Sequence, residues 1–269
     1  MLPGTIRLVY HFYVNDNILQ SELTKLHFAC LKQYSLLFSD VLFVISLDDI
    51  TRYDLISAVE SKLCSLQFRG NLRFKIIKNN PYMREVDTFK SEIFDKLNDL
   101  DGITFFAHNK GISNNYDDTL MYWIVAMYYF NLNYIEDVLN NLISYNSCIF
   151  YGPNPVADTS ENKGNQAWNN TYSWVYPGTF YWTNTKRAYA QIKNNNIDVL
   201  FDNRFAAENF PGNLCKLEKW TAGYPTDFYG INFCDWYHST KAYIKSMVNE
   251  TELEKFNNFY NKIIESLNE

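Results

Sequence analysis

The stretch Ile103-Thr104-Phe105-Phe106-Ala107-His108-Asn109-Lys110-Gly111 decides the fold. Its first five residues form an apolar, aromatic run that is too short for an independent helix, so we predict a buried strand over residues 103–107. This strand delivers a histidine and a lysine, followed by a glycine, to its carboxyl end. Its place in a sheet follows from the strand and helix pairs that precede it.

Three earlier segments each combine a strand with a helix. Strands are predicted over residues 6–14, 41–47 and 72–77, and helices over residues 21–39, 51–66 and 85–97. The strands are short, and the helices carry apolar residues near helical spacing. This alternation is typical of an α/β fold whose mainly parallel sheet is flanked by helices.

The alternation of predicted strands and helices ends near residue 115. A long apolar helical region is predicted over residues 118–142, with a break near Asn131-Leu132-Asn133. A short strand, a polar loop, a strand-like segment around Pro177-Gly178 and closing helices follow. We predict a single domain over residues 1–269, with a nucleotide-binding half (1–115) and an acceptor-side half with C-terminal helices (116–269).

Composition excludes several classes of protein. Hydrophobic residues make up 47% of the 269 residues, which is enough for a full core, and the net charge of -6 argues against a nucleic-acid binder. Five cysteines without C-x-x-C spacing disfavour a disulfide framework and a structural zinc site. The sequence shows no signal peptide and no apolar run long enough to span a membrane, so we expect a cytoplasmic protein without an integral membrane segment.

Ligands of open parallel sheets bind beyond the carboxyl ends of the strands. There, Asp48 and Asp49 follow the second strand and are candidates to hold the ribose or base of a nucleotide, although Asp49 is equally suited to cap the next helix. Arg84 and Glu85 follow the third strand, where Glu85 also suits the dipole of a helix N-terminus. After the fourth strand, a cation and a histidine two residues apart are suited to a diphosphate.

Three further elements follow this one in order. Trp123 comes a dozen residues later, then Tyr176-Pro177-Gly178-Thr179-Phe180-Tyr181-Trp182, then Asn203-Arg204-Phe205-Ala206-Ala207-Glu208. The ordered set resembles a group of bacterial GT-A-like (Rossmann-like) glycosyltransferases of capsule, lipopolysaccharide and rhamnan-type polysaccharide synthesis. The resemblance covers roughly residues 100 to 212 and implies a nucleotide-sugar donor and a saccharide or lipid-linked glycan acceptor.

The resemblance also implies roles for the motif residues. His108, Lys110 and Gly111 would contact the donor diphosphate, or the two cationic side chains would stabilise the leaving group. The alternative is an ordinary strand-end loop in which the histidine caps backbone groups and the lysine is solvated. Glu208 would act as the general base or hold sugar hydroxyls, and its alternative is an ordinary ion pair with Arg204. Sugar and acceptor contacts would come from Tyr176, Gly178, Thr179, Trp182 and Arg204. The alternative for the aromatic residues of this segment is a hairpin that packs in the core.

The chain departs from ordinary GT-A enzymes at the metal site. No D-x-D follows the fourth strand, and the literal Asp99-Leu100-Asp101 precedes that strand, at the wrong end of the sheet. We predict no metal ligands, while dependence on Mn²⁺ or Mg²⁺ stays open. The missing motif and the aromatic load motivate a second hypothesis, a non-catalytic carbohydrate-binding or scaffold protein on the same fold.

The C-terminal segment bears on location. Phe256, Phe259, Tyr260, Ile263 and Ile264 recur at near-helical spacing with interleaved glutamates. A membrane-surface helix would carry Lys and Arg instead, so the stripe is predicted to pack in the core. We expect any contact with a lipid-linked acceptor at the inner membrane face to be transient.

Overall fold

The structure is a computed structural model. It describes residues 5–94, 101–109, 118–144, 149–152, 156–157, 174–175, 179–192, 206–208, 211, 221–222, 244–245 and 248–267.

A seven-stranded sheet forms the centre of the molecule. Its strands are β1 (Ile6–Val14), β2 (Asp40–Leu47), β3 (Asn71–Lys78), β4 (Ile103–His108), β5 (Phe150–Gly152), β8 (Tyr181–Asn184) and β9 (Thr221–Ala222). The spatial order is β3-β2-β1-β4-β8-β5-β9, and among these described strands only β8 runs against the others. The short strands β6 (Val156–Ala157) and β7 (Trp174–Val175) pair separately.

Helices cover both faces of the sheet. They are α1 (Glu22–Tyr34), α2 (Tyr53–Cys64), α3 (Glu85–Phe94), α4 (Asp118–Leu132), α5 (Ile135–Leu139), α6 (Thr185–Ile192) and α7 (Glu250–Glu265). Buried residues of α1, α2, α4 and α7 share one core cluster with Leu8, Tyr10 and Phe12 of β1. The opposite face of β1 presents His11, which bonds to Thr88 of α3. The predicted α/β class, a mainly parallel sheet flanked by helices, is confirmed.

The order 3-2-1-4 of the first four strands also occurs in Rossmann-type doubly wound sheets. It is consistent with the GT-A-like architecture that the resemblance implies. β1, β2 and β4 are buried on both faces, which explains their nearly continuous apolar sequences. Gly102 precedes β4 with φ of +119°, and a Cβ there would lie 2.1 Å from the carbonyl oxygen of Thr5. Only glycine therefore allows β4 to enter the sheet at this register.

A polar triad lies inside the core. The hydroxyls of Tyr10 and Tyr128 are 3.0 Å apart, and His27 Nδ1 lies 3.1 Å from the first and 2.9 Å from the second. All three side chains are buried, and they join β1, α1 and α4. Buried polar groups cost free energy unless they are paired, so the triad favours one arrangement of these three elements.

The second half agrees with the sequence in its helix break and disagrees in its hairpin. α4 ends at Leu132, and α5 begins after Asn133 and Tyr134. Among the described strands, β7 pairs with β6 whereas β8 pairs with β4 and β5, so β7 and β8 do not pair as the strands of a hairpin. The core packing that the same alternative expects is present at Phe180, Tyr181 and Trp182.

The C-terminal helix packs on α1 and α4. Phe256 and Ile263 of α7 are fully buried, and Phe256 stacks on Phe130 of α4 with ring centroids 5.3 Å apart. The predicted core packing of the stripe is confirmed. Within the described residues, none of the helices has the length and apolar character needed to cross a membrane.

One buried carboxylate anchors α7. Tyr129 of α4 donates a hydrogen bond to Glu252 Oε1 at 2.7 Å, and Asn249 caps the helix by accepting from the Glu252 amide at 2.9 Å. Burial raises the pKa of Glu252, but hydrogen bonds with Tyr134, Tyr129 and Lys255 outweigh burial, so the net pKa is lowered. The ionised carboxylate thus holds α7 against α4.

Replacing Glu252 by Gln should lower the free energy of unfolding by about 1 to 3 kcal/mol near neutral pH, because a charge-assisted hydrogen bond is lost. Since the folded pKa is depressed, this contribution is present above the unfolded pKa of about 4.3 and is lost as pH falls through the folded pKa. The free energies of unfolding of the two proteins, measured by urea titration, should therefore become equal at acid pH. Glu254→Gln, on an exposed position of the same helix, is the control and should change little. A constant difference at all pH values would contradict the anchor.

Candidate functional site

Polar side chains gather where the first four strands end. Tyr13 lies at the end of β1, Asp48 follows β2, Asn79 follows β3, and His108 and Asn109 lie at the end of β4. Because these strands are parallel and adjacent, their ends meet at one edge of the sheet, which we call the carboxyl edge.

Asp48 is held by two neighbours at this edge. Its Oδ2 accepts from the Tyr13 hydroxyl at 3.0 Å, and its Oδ1 accepts from Asn79 Nδ2 at 2.8 Å. The carboxylate is exposed, and each oxygen keeps a further lone pair for a ligand. Burial and the hydrogen bond to Asp48 raise the pKa of Tyr13, so this phenol stays a donor.

Asp49 has a different environment. Its Oδ1 accepts from the Thr51 amide at 2.9 Å and from the Thr51 hydroxyl at 2.7 Å, which closes a turn before α2. The hydrogen bonds from the Thr51 side chain and backbone lower the pKa of Asp49. Asp49 thus accepts from backbone and side chain just before α2, much as the capping alternative expects, although the N-cap residue of the helix itself is Arg52.

Four buried residues form a second group beneath the edge, the histidine cluster: His11, Glu85, Thr88 and His108. His11 and His108 are neighbours in the register of β1 with β4. His11 Nδ1 lies 2.8 Å from Thr88 Oγ1, and His108 Nδ1 lies 3.8 Å from Glu85 Oε1. Burial lowers the pKa of His11 to about 4, with the charge of Glu85 opposing this and that of His108 adding to it. His11 is therefore neutral at physiological pH.

Arg84 lies directly before α3 and is exposed. Its φ is 51°, in the left-handed region that a non-glycine residue rarely adopts. The backbone there is fixed by a hydrogen bond from the Arg84 amide to the Asn80 carbonyl at 2.7 Å. This turn buries Glu85 beside His108 and leaves the Arg84 side chain toward solvent.

Thr179 is brought to the same edge as His108. Antiparallel β8 pairs with β4 up to Phe106 and Tyr181, so residues just before Tyr181 lie beside the end of β4. The rings of Phe180 and His108 are 6.0 Å apart. Thr179 is fully buried, has φ of 57°, and its hydroxyl has no hydrogen-bond partner among the residues that the structure describes. A strained backbone and an unsatisfied buried hydroxyl are common at functional sites.

Trp182 is a core residue, and its predicted sugar contact is wrong. The side chain is fully buried, its ring lies 4.9 Å from that of Phe105, and its Nε1 donates to the Asn131 carbonyl at 2.9 Å. An indole enclosed on both faces cannot stack on a sugar. The alternation of a strand explains this, because Trp182 points to the face that α1 and α4 cover while Tyr181 points to the face that α3 covers.

Glu208 lies against β8. The hydroxyl of Tyr181 donates to the carbonyl of Ala207 at 3.2 Å. Burial, and after it the charge of Glu208, raises the pKa of Tyr181 well above its ordinary value. Glu208 itself is half-buried, at the side of the sheet on which Tyr181 contacts Phe89 of α3. α3 also carries Glu85 of the histidine cluster.

Several predicted residues lie outside the described part of the chain: Lys110, Gly111, Tyr176, Gly178 and Arg204. The ion pair proposed for Arg204 and Glu208 lies outside it as well. Asp101, the second carboxylate of the misplaced D-x-D, lies before β4 and contacts Lys186 at 3.4 Å. Among the described residues, no group of three His, Cys, Asp or Glu side chains is arranged to hold a metal ion.

The sequence alone does not single out four residues of this edge: Tyr13, His11, Asn79 and Asn109. Each lies close to the end of a predicted strand. His11 is a satisfied structural histidine through its bond to Thr88, and its place beside His108 also makes it part of the site. The signal for all four was their position at strand ends.

Comparisons with known proteins assign no family. No family model matches the chain, and no curated protein matches it. One similar solved structure is the crystal structure of S. aureus TarS 1–349, with 11% sequence identity and a TM-score of 0.37 over 97% of this chain and 71% of that chain. A similarity this weak does not assign a function.

The histidine cluster generates a prediction about pH. The pKa of His11 is about 4 in the folded chain and 6.5 in the unfolded chain. Between these two pH values the imidazole of His11 is protonated in the unfolded chain and neutral in the folded chain. Stability should therefore fall by about 2 kcal/mol as pH drops from neutrality to about 4.5. His11→Gln keeps a hydrogen bond to Thr88 and should remove this part of the slope in urea titrations. An unchanged slope would contradict the burial of a neutral His11.

Proposed function

We propose that the protein is a glycosyltransferase that moves a sugar from a nucleotide-sugar donor to a saccharide acceptor. The single observation that carries this proposal is the meeting of His108 with the Thr179-Phe180 segment. These residues belong to two motif elements about seventy positions apart, and they adjoin at the edge where open parallel sheets bind ligands. The resemblance of the ordered motifs supports the same activity.

Asp48 is the proposed contact for the nucleoside. Its carboxylate is exposed and oriented by two donors, so it is preorganised to accept a hydrogen bond from the ribose or base. Asp49 is occupied by Thr51, which makes it the weaker candidate of the two. Arg84, exposed at the start of α3, is suited by its charge to the diphosphate.

The remaining roles follow from the reaction. The bond between the anomeric carbon and the diphosphate oxygen breaks, and the acceptor oxygen bonds to that carbon. Negative charge develops on the departing nucleoside diphosphate, where His108, Lys110 and the backbone at Gly111 would stabilise it. If the reaction inverts the anomeric centre, Glu208 takes the proton of the acceptor hydroxyl. Tyr176, Gly178, Thr179 and Arg204 are proposed to contact the sugar or the acceptor.

The proposal leaves open whether the reaction requires a divalent ion. Mn²⁺ or Mg²⁺ would neutralise the diphosphate, as the cationic side chains are proposed to do. We further propose a cytoplasmic role in surface-polysaccharide assembly, with a lipid-linked or soluble saccharide as acceptor.

Nucleotide binding at Asp48 tests the proposal. UDP, GDP, dTDP and CMP, with and without Mn²⁺, are added in a thermal-shift assay, and at least one should raise the melting temperature. Asp48→Asn should weaken the binding of that nucleotide by roughly tenfold, because a charged acceptor is replaced by a neutral group. The matched control is Asp101→Asn, at the opposite edge of the sheet, and it should bind as the unmodified chain does. Equal losses in both variants would contradict the role of Asp48.

Hydrolysis and transfer assays separate the two candidate functions. A glycosyltransferase should release the nucleoside diphosphate slowly from its donor in water and faster when a saccharide acceptor is present. His108→Gln should lower this release while leaving nucleotide binding largely intact, since the charge it stabilises develops in the transition state. Saccharide binding without any nucleotide response would favour the non-catalytic carbohydrate-binding alternative.

A further inference from the structure

An asparagine ends the pairing of β4 with β1. The Asn109 amide donates to the His11 carbonyl at 3.2 Å, as in a continuing parallel ladder. The next step is made by the side chain: Oδ1 accepts from the Tyr13 amide at 3.0 Å, and Nδ2 donates to the Tyr13 carbonyl at 2.7 Å. One carboxamide thus satisfies both backbone groups of Tyr13, in place of the main chain of β4.

The same contact extends across the whole carboxyl edge. Tyr13, fixed through its backbone by Asn109, donates its hydroxyl to Asp48, and Asp48 also accepts from Asn79. Asn79 is itself positioned by a hydrogen bond that its backbone N–H donates to the Leu47 carbonyl at 2.6 Å. Asn109, Tyr13, Asp48 and Asn79 therefore form one hydrogen-bonded chain across the ends of β4, β1, β2 and β3, which we call the edge network.

We infer that Asn109 is a positioning residue that couples the two parts of the donor site. This inference rests on the proposed function, in which Asp48 contacts the nucleoside and the residues after β4 contact the diphosphate. Asn109 is buried, and both polar atoms of its side chain are engaged by the backbone of Tyr13. It ends the pairing of β4 with β1 directly after His108, and through Tyr13 it fixes the orientation of Asp48.

The physical reason is preorganisation. A ligand that is held at both ends binds weakly when its two contacts are free to shift relative to one another, and displacements of about 1 Å at a site reduce function strongly. The Tyr13 amide and carbonyl would otherwise need other partners, since unpaired buried backbone groups are costly. The carboxamide of Asn109 supplies this donor and this acceptor in one rigid plane.

Four variants test the inference. Asn109→Ala removes the clamp on Tyr13, and Tyr13→Phe removes only the hydroxyl that orients Asp48. The double variant combines them. Asn184→Ala is the matched control, because Asn184 also ends a strand, accepts from the Arg187 amide at 3.1 Å and donates to the Leu142 carbonyl at 2.8 Å, at the opposite edge. Dissociation constants for UDP, GDP, dTDP and CMP are measured together with the denaturant midpoint of each variant.

Asn109→Ala and Tyr13→Phe should each weaken nucleotide binding about tenfold, and the double variant should be no more than slightly weaker than Asn109→Ala, because both act through Asp48. Asn184→Ala should lower the denaturant midpoint without changing the dissociation constant. Should Asn109→Ala not fold, Asn109→Asp keeps the acceptor for the Tyr13 amide and loses the donor, and it should show the same weakening.

Three outcomes would overturn the inference. Unchanged nucleotide binding in Asn109→Ala, fully additive losses in the double variant, or an equal loss in Asn184→Ala would each reduce Asn109 to a stabilising residue. If the unmodified chain bound none of the four nucleotides, the proposed function would fail first and the coupling role with it.

Discussion

The parallel pairing of β1 with β4 is the constraint on which the rest of the structure depends. It sets His11 beside His108 in the middle of the sheet, and both lie beneath the first turn of α3. The same pairing buries Tyr10 and its triad on one face and ends with the carboxamide of Asn109 at the edge. The core, the histidine cluster and the edge network thus all depend on the register of β1 with β4. A slip of one residue would exchange the two faces of the strand.

The first half of the fold could be predicted because short apolar strands alternate with amphipathic helices. β1 was predicted with its observed bounds, and β2, β3 and β4 to within a residue at each end. The break after α4 was visible because two asparagines interrupt an apolar helix. Local sequence carries this information, since each strand must fill a buried layer and each helix must cover one.

The sequence could not predict which side chains turn inward and which meet across the sheet. Trp182 stands in a motif beside Tyr181, and only the alternation of β8 decides that it packs on Phe105. Tyr13 and Asp48 are 35 positions apart, and Asn109 lies 96 positions from Tyr13, so their contacts exist only through the strand order. Asp48 and Asp49 have equal chemistry, and only their partners in the fold distinguish them: Tyr13 and Asn79 for Asp48, Thr51 for Asp49.

The central claim is that a nucleotide sugar binds at the carboxyl edge. Hydrogen exchange measured by mass spectrometry, in the presence of UDP-glucose, GDP-mannose or dTDP-rhamnose, tests it most directly. One of these donors should slow exchange at the strand ends and the loops that follow them, in residues 13–17, 47–50, 79–85 and 108–114. The opposite edge, in residues 38–40 and 101–103, should exchange as before. Protection confined to that opposite edge, or no protection with any donor, would contradict the account.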